Sequence, residues 1–297
     1  MGIVINAALS AQTITSSPIF DLAKTYFLLT GIAGVNPKLG TTGAVAFAKY
    51  NIQVDTQLEF DGREIPSTWQ SGYIPMGAET PDSYPKLLHG SEIYELNEDL
   101  RRTALSLART AALEDSDAAE EHRALYSKSP SNEYHAATLP PSILEGDVAS
   151  SNVFFHGHLL CVAMEKVVKI YTTGKAEYVM TALEDSAIIT ALLRAALQDK
   201  VDFSRIILTR TGSNFDRSHL DKESPTLPFA MDRGGLKPAI RNLYLSGIKV
   251  VEGILDGWYD EFENGIKATN YIGDVFGSLG GTPDFVPRDK IPSSQCH

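Results

Sequence analysis

The chain has 297 residues, 43% of them hydrophobic, and carries 26 Lys and Arg against 37 Asp and Glu for a formal net charge of −11. It is long enough to bury a sizeable core as one large α/β domain or two smaller ones. Its basic residues are scattered, which excludes the electrostatic footprint of a nucleic-acid or anionic-membrane binder and favours neutral or cationic ligands. Cys161 and Cys296 stand in no CxxC pattern, so neither a disulfide framework nor a zinc ribbon is expected, and Cys161 is expected in the core. No apolar run approaches the roughly 18 residues of a spanning helix, and Met1 to Asn6 lacks the basic region and cleavage site of a signal peptide.

In chain order, Thr25 to Leu29 (TYFLL) reads as a buried strand that stops at Gly31-Ile32-Ala33-Gly34. Two glycines there serve either a tight turn or a close approach of backbone to a ligand. Ala44 to Val54 reads as the next strand. Gly72 to Pro85 is a proline-rich excursion without periodicity, a surface lid or a spacer. Leu96 to Leu113 has the spacing of an amphipathic helix, and the charged run Glu114 to Arg123 reads as a solvated face. Ser127 to Ser131 marks a loop, and Ser142-Ile143-Leu144 a strand. Ser150 to Gly157 places Phe154 and Phe155 beside small polar residues, where they either stack on a planar ligand or alternate between core and surface. His156 and His158 could share one strand face, but no cysteine or second acidic group completes a ligand set, so no metal is expected.

The stretch from Glu177 to Asp216 organises the chain: a helix, a buried strand and a polar loop, with carboxylates at one end and Ser213, Asn214 and Asp216 at the other. Polar clusters at the ends of helices and strands are how α/β folds assemble sites, because the middles are buried. Ser186, Thr190, Arg194 and Gln198 form a polar stripe, while Glu184 and Asp185 each head an apolar row. Thr181-x-x-Glu184 also fits a capping box, so Glu184 reads either as a cap or as a ligand residue. The strand is expected over Arg205 to Thr209, with Arg210 to Asp216 as its loop. Arg217 to Gly235 follows as a polar loop, Leu236 to Phe262 as a closing helix, and Gly273 to His297 as a tail with little regular structure. A stacking aromatic, a carboxylate able to grip two hydroxyls, a strand-end amide and a glycine turn suit a nucleoside or sugar-like ligand. Cleavage of its glycosidic bond passes through an oxocarbenium-like state, so the leaving group needs an acid or hydrogen-bond donor, a task open to Asn214 or Asp216.

FLLTGIAGVNPKLGTTGAVAFAKY, GDVASSNVFFHG, YVMTALEDSA and LTRTGSNFD, in this order, resemble the purine nucleoside permease (NUP) family, itself similar to the nucleoside phosphorylase and nucleosidase superfamily. The resemblance runs from about Asn6 to Phe262. It implies an α/β fold with three α/β/α layers around a mixed, barrel-like central sheet, as one domain over residues 1–265 with a C-terminal extension over 266–297. It also implies a purine nucleoside ligand of the inosine, guanosine or adenosine class, with phosphate as an optional co-substrate and no cofactor, nucleic acid or membrane insertion. Homo-oligomerisation is left open. By resemblance, Ile32, Ala33 and Gly34 lie beside base and ribose, Phe154 stacks on the purine, Glu184 binds the ribose hydroxyls, and Ser213 accompanies Asn214, which contacts the leaving base.

The departures from the pattern sharpen the chemistry. Asn214 cannot hand over a proton, so either it stabilises a 6-oxopurine or another acid such as Asp216 acts. Leu29 stands where many phosphorylases carry a phosphate-binding Arg, which favours water over phosphate as nucleophile. Leu183, Ala187 and Phe155 replace Met, Gly and Trp. The chain also starts where relatives are finishing their first strand, so an N-terminally truncated sheet with exposed apolar edges and poor solubility is expected. Without a membrane span, a role in nucleoside uptake would rest on binding, on delivery to a true carrier, or on cleaving nucleoside outside the cell. A non-catalytic relative is the third reading.

Overall fold

The computed structural model describes residues 3–129, 132–219 and 233–287. Nine strands form the main sheet: β1 (Phe27–Val35), β2 (Val45–Ala48), β3 (Tyr50–Gln53), β6 (Ile93–Glu95), β7 (Ile143–Glu145), β8 (Asp147–Ser150), β9 (Tyr178–Ala182), β10 (Ile206–Phe215) and β11 (Gly273–Asp274). A separate hairpin pairs β4 (Gln57–Glu59) with β5 (Tyr73–Pro75). The helices are α1 (Val4–Ser16), α2 (Glu98–Ala108), α3 (Asp117–Ala124), α4 (His158–Tyr171), α5 (Asp185–Ala196) and α6 (Leu236–Asp256).

The sheet order is β11-β6-β3-β8-β9-β1-β10-β2-β7. β1 runs parallel to β10, β2 to β7, and β8 to both β3 and β9, whereas β10–β2, β3–β6, β6–β11 and β1–β9 are antiparallel. Only Lys49 separates β2 from β3 and only Gly146 separates β7 from β8, so each pair is one bent strand. Since β2 and β3 sit near opposite ends of the order, the bends bring the sheet round on itself as a barrel. The expected mixed, barrel-like α/β architecture is therefore present.

Alternation along the strands distributes the core. Val45 and Phe47 point towards Leu100 and Ala104 of α2 and Val250 and Ile254 of α6, while Ala46 and Ala48 face the cluster containing Ile189 and Leu192 of α5. On β3, Tyr50 and Ile52 pack with Cys161, Met164 and Val168 of α4. Helices thus cover both sides of the sheet, and α1 lies on α5. No helix among the described residues is long and apolar enough to cross a membrane.

The bend is held by a carboxylate. Asp147 Oδ1 accepts from the backbone N–H of Lys49 (3.1 Å) and Tyr50 (2.8 Å), and Oδ2 from that of Glu177 (2.9 Å). Burial pushes this carboxyl above its ordinary range, against the pull of the three N–H groups. A side chain at Gly146 would run into Val179, which is why a glycine occupies the corner. Asp147→Ala takes the acceptor from three backbone donors, that of Tyr50 buried and those of Lys49 and Glu177 part-buried, and is expected to lower unfolding free energy by about 3 kcal/mol, read from urea denaturation.

Several sequence expectations are revised. The first strand does not stop at Gly31 but runs to Val35, and the strand from Ile206 runs to Phe215, so Arg210 to Phe215 is strand rather than loop. The partners explain both: β1 and β10 pair along their full lengths, which overrides the glycine signal. Ala44 to Val54 is two strands broken at Lys49, and the proline-rich excursion supplies β5. In the charged run, Arg123 is buried against Asp115 rather than solvated. The closing helix ends at Asp256, and Trp258–Phe262 forms a π-turn. Within the supposed tail, β11 adds to the sheet and Phe285 is fully buried. Cys161 is buried as expected, while Cys296 and most of the loop after Arg217 lie outside the described residues. β1 meets β9 only at Val35↔Met180, which leaves that edge without a strand ladder over residues 27–34 among the described residues.

Candidate functional site

A cavity of about 240 Å³ opens where the ends of β1, β9 and β10 meet the segment after β8, a scale suited to a compact small molecule. Ile32, Ala33 and Gly34 line it from β1, and Val153, Phe154 and Phe155 from the segment after β8. Thr181, Ala182, Leu183 and Glu184 come from the β9–α5 junction, and Ser213 and Asn214 from β10. All the residues expected to bind substrate are thus brought together.

The backbone of β1 forms one wall because of an irregularity. In register, Ala33 pairs with Gly212 and Gly34 with Asn214, so β10 has one extra residue at this point. Gly34 N–H donates to Thr181 Oγ1 (2.8 Å), and a Cβ there would lie 3.1 Å from that oxygen and 3.4 Å from Asn214 Nδ2. Of the two readings of the glycine pair the tight turn does not hold, since both glycines lie within β1, and the group the Gly34 backbone approaches here is Thr181.

Thr181 is accordingly a strand residue, and the capping box is absent. α5 begins at Asp185, and Glu184 occupies the N-cap position without a side-chain cap bond. Its carboxylate turns to β10, where Arg210 Nη2 donates to Oε2 (3.1 Å). Arg210 also donates through Nε to Asp185 Oδ2 (3.0 Å) and through Nη2 to Asp185 Oδ1. The guanidinium is 6% exposed, the Asp185 side chain 0% and Glu184 17%. Burial alone would lower the Arg210 pKa, but the two carboxylates hold it above its ordinary value.

Arg210 was missed by sequence reasoning. The available signals were a charge inside an apolar strand, two adjacent carboxylates and a glycine opposite. Gly31 pairs with Arg210 across the β1–β10 ladder, and a Cβ on Gly31 would collide with the guanidinium. The glycine opens the path by which Arg210 crosses β1 to reach α5.

At the other end, Ser213 Oγ donates to Ala33 O (3.1 Å) or Asn214 Oδ1 (3.0 Å), and Asn214 Nδ2 donates to Phe215 O (3.0 Å). Asn214 is therefore oriented by its neighbours while facing the cavity. Asp216 is not part of the lining. Tyr178 Oη donates to its Oδ2 (2.6 Å), and Arg217 donates to both oxygens (2.8 and 2.9 Å). Enclosed in that cluster, Asp216 is turned away from the cavity that Asn214 faces, contrary to the sequence expectation that the two share it.

Phe155 is buried against Tyr178, whereas Phe154 is 62% exposed at the mouth of the cavity. The two do alternate, yet both contribute to the lining. His156 lines a neighbouring polar recess that shares Ser213 and Asn214, while His158 Nδ1 lies 3.2 Å from Tyr134 Oη. Among the described residues no group of three or more His, Cys, Asp or Glu is placed to hold a metal ion. Of the polar stripe, Ser186 and Thr190 face the sheet, bonded to Asn51 and Tyr94, while Arg194 and Gln198 are exposed.

The chain is thus a mixed-sheet α/β domain with a compact cleft at its strand ends, walled by backbone, an aromatic, an oriented amide and a guanidinium-held carboxylate. More particularly, the chain is a member of the purine nucleoside permease (NUP) family, which residues 1–267 match. It is 36% identical over 287 residues to the purine nucleoside permease of Candida albicans, covering 95% of this chain and 69% of that protein. To a probable purine nucleoside permease of Schizosaccharomyces pombe it is 31% identical over 263 residues, covering 85% and 73%. Among solved structures it is similar to the 5′-methylthioadenosine/S-adenosylhomocysteine nucleosidase of Neisseria meningitidis in complex with methylthio-immucillin-A, at a TM-score of 0.46 and 16% identity, covering 84% of this chain and 78% of that one.

Proposed function

We propose that the cleft binds a purine nucleoside and cleaves its N-glycosidic bond with water as nucleophile. The observation that carries this reading is the convergence of Phe154, Glu184, Asn214 and the Gly34 backbone on one cavity. Phe154 stacks on the purine. Glu184, with Oε2 held by Arg210, presents Oε1 to the ribose hydroxyls, and those hydrogen bonds strengthen as positive charge grows on the sugar. With Asp216 enclosed, the leaving base is supported by the Asn214 amide through hydrogen bonding rather than proton transfer, which suits a 6-oxopurine able to carry charge on its oxygen. The bond from sugar C1′ to the base nitrogen breaks with its electron pair going to the purine, and water supplies the oxygen at C1′ and the proton.

Membership of a family named for permeases favours a second reading, in which the same cleft recognises nucleoside for uptake and releases it intact. Incubation with inosine, guanosine and adenosine, with and without phosphate, separates the two by following free base. Release without phosphate supports hydrolysis, phosphate dependence makes the chain a phosphorylase, and saturable binding with no release leaves the uptake reading. In every case Phe154→Ala is expected to weaken nucleoside binding about 10-fold or more, the scale of one base–aromatic stack, with an unchanged melting temperature because the ring is exposed.

A further inference from the structure

α6 has two faces with different fates. Ala239, Asn242, Ser246, Val250 and Ile254 are buried against the body. On the outward side Ile240 (55% exposed), Tyr244 (55%), Val251 (40%) and Leu255 (66%) continue at helical spacing to Tyr259 (85%) on the π-turn, with the partly exposed Ile248 midway. A 21-residue helix carries such a stripe for about 30 Å. An unbroken apolar row of that length on a solvent-facing helix marks an interaction surface rather than scattered surface hydrophobics.

The charges beside the stripe indicate what covers it. Lys237 and Arg241 lie in the N-terminal half; in the C-terminal half Lys249 pairs with Glu252, which leaves the acidic Asp256 in the last turn and Asp260 just beyond. The first turn has no acidic residue and the last turn no basic one. This polarity opposes the helix dipole, which favours acids at the N-terminus and bases at the C-terminus. Contacts within the chain explain little of it: Arg241–Glu114 and Lys249–Glu252 are exposed pairs, a class worth little. An identical helix laid antiparallel does explain it, because the basic half of each then faces the acidic half of the other.

We propose that two copies of this chain associate through antiparallel α6 helices about a two-fold axis near Ile248. Such an interface is isologous, so every contact occurs twice. Lys237 and Arg241 of one protomer meet Asp256 and Asp260 of its partner. A groove of about 520 Å³ lined by Glu114, Lys237, Ile240, Arg241 and Tyr244 receives the partner's Leu255 and Tyr259. The surface belongs to no part of the nucleoside cleft, so the inference is independent of the proposed activity.

Sedimentation velocity on the full chain provides the test. The wild type is expected to dimerise, and Leu255→Glu to raise the dissociation constant at least ~100-fold, as for a buried hot spot. Arg241→Glu and Asp256→Arg are each expected to weaken the dimer about 10-fold, and mixing the two variants to restore it, because both contacts of the mixed dimer are then complementary. In a Cys296→Ser background, Ile248→Cys forms an intermolecular disulfide under mild oxidation and Leu9→Cys, on the exposed face of α1, does not. A wild type monomeric at about 100 μM, far above a specific dimer's dissociation constant, overturns the proposal. So does a dimer indifferent to Leu255→Glu, failure of the mixture to recover, or cross-linking through Leu9 instead.

Discussion

Glu184→Ala is expected to weaken nucleoside binding about 100-fold, the worth of hydrogen bonds to a charged acceptor, while the melting temperature falls by no more than about 3 °C. The asymmetry follows from the geometry. Glu184 makes no cap bond at the start of α5, so the helix loses nothing there. Arg210 keeps both of its contacts with Asp185, so no buried cation is left unpaired. What is removed is the one carboxylate that both touches the guanidinium and lines the cavity. Isothermal titration beside a thermal melt reads both quantities. A large fall in melting temperature with little change in affinity would return Glu184 to a structural role.

Arg210→Met has the opposite signature. It leaves the Asp185 carboxylate fully enclosed without a cation, and breaking a buried ion pair from one side costs about 3–5 kcal/mol. Binding falls as well, because Glu184 loses the group that orients it. Combining Arg210→Met with Asp185→Leu removes both charges and is expected to recover most of the stability but not the affinity, since removal of a whole buried pair is often nearly neutral. Urea denaturation of the single and double variants checks this. If Arg210→Met unfolds within about 1 kcal/mol of wild type, the range of ordinary surface substitutions, the buried cluster is not the anchor described.

The contrast between Glu184 and Arg210 also shows how much of the site is legible in the sequence. Local pattern located the α5 helix, its polar stripe and the cluster at Ser213 and Asn214, because periodicity and strand-end polarity are short-range signals. Motif resemblance brought Phe154 and the 32–34 segment to the same cleft. Long-range pairing was out of reach. A turn stayed open at Gly31 and Gly34 because nothing local shows that β1 pairs with β10 through them, and a capping box stayed open at Thr181 because its bond to Gly34 spans 147 residues. Arg210 looked like an ordinary strand-end charge until Gly31 opened its path to Asp185. Asp216 looked available because Tyr178 and Arg217, which enclose it, approach from another strand and from the residue beside it. The barrel itself rests on bends at Lys49 and Gly146 held by one carboxylate, a feature with no periodic signature.

Glu184 and its guanidinium clamp are proposed to make this cleft a ribose-reading nucleoside site. Calorimetric titration of the wild type with inosine and with 2′,3′-dideoxyinosine tests it most directly, because the two ligands share the base and differ only in the hydroxyls that Glu184 is proposed to hold. Saturable inosine binding, with the dideoxy compound weaker by about 100-fold, is the predicted result. Equal affinity for the two, or no binding of either, contradicts it.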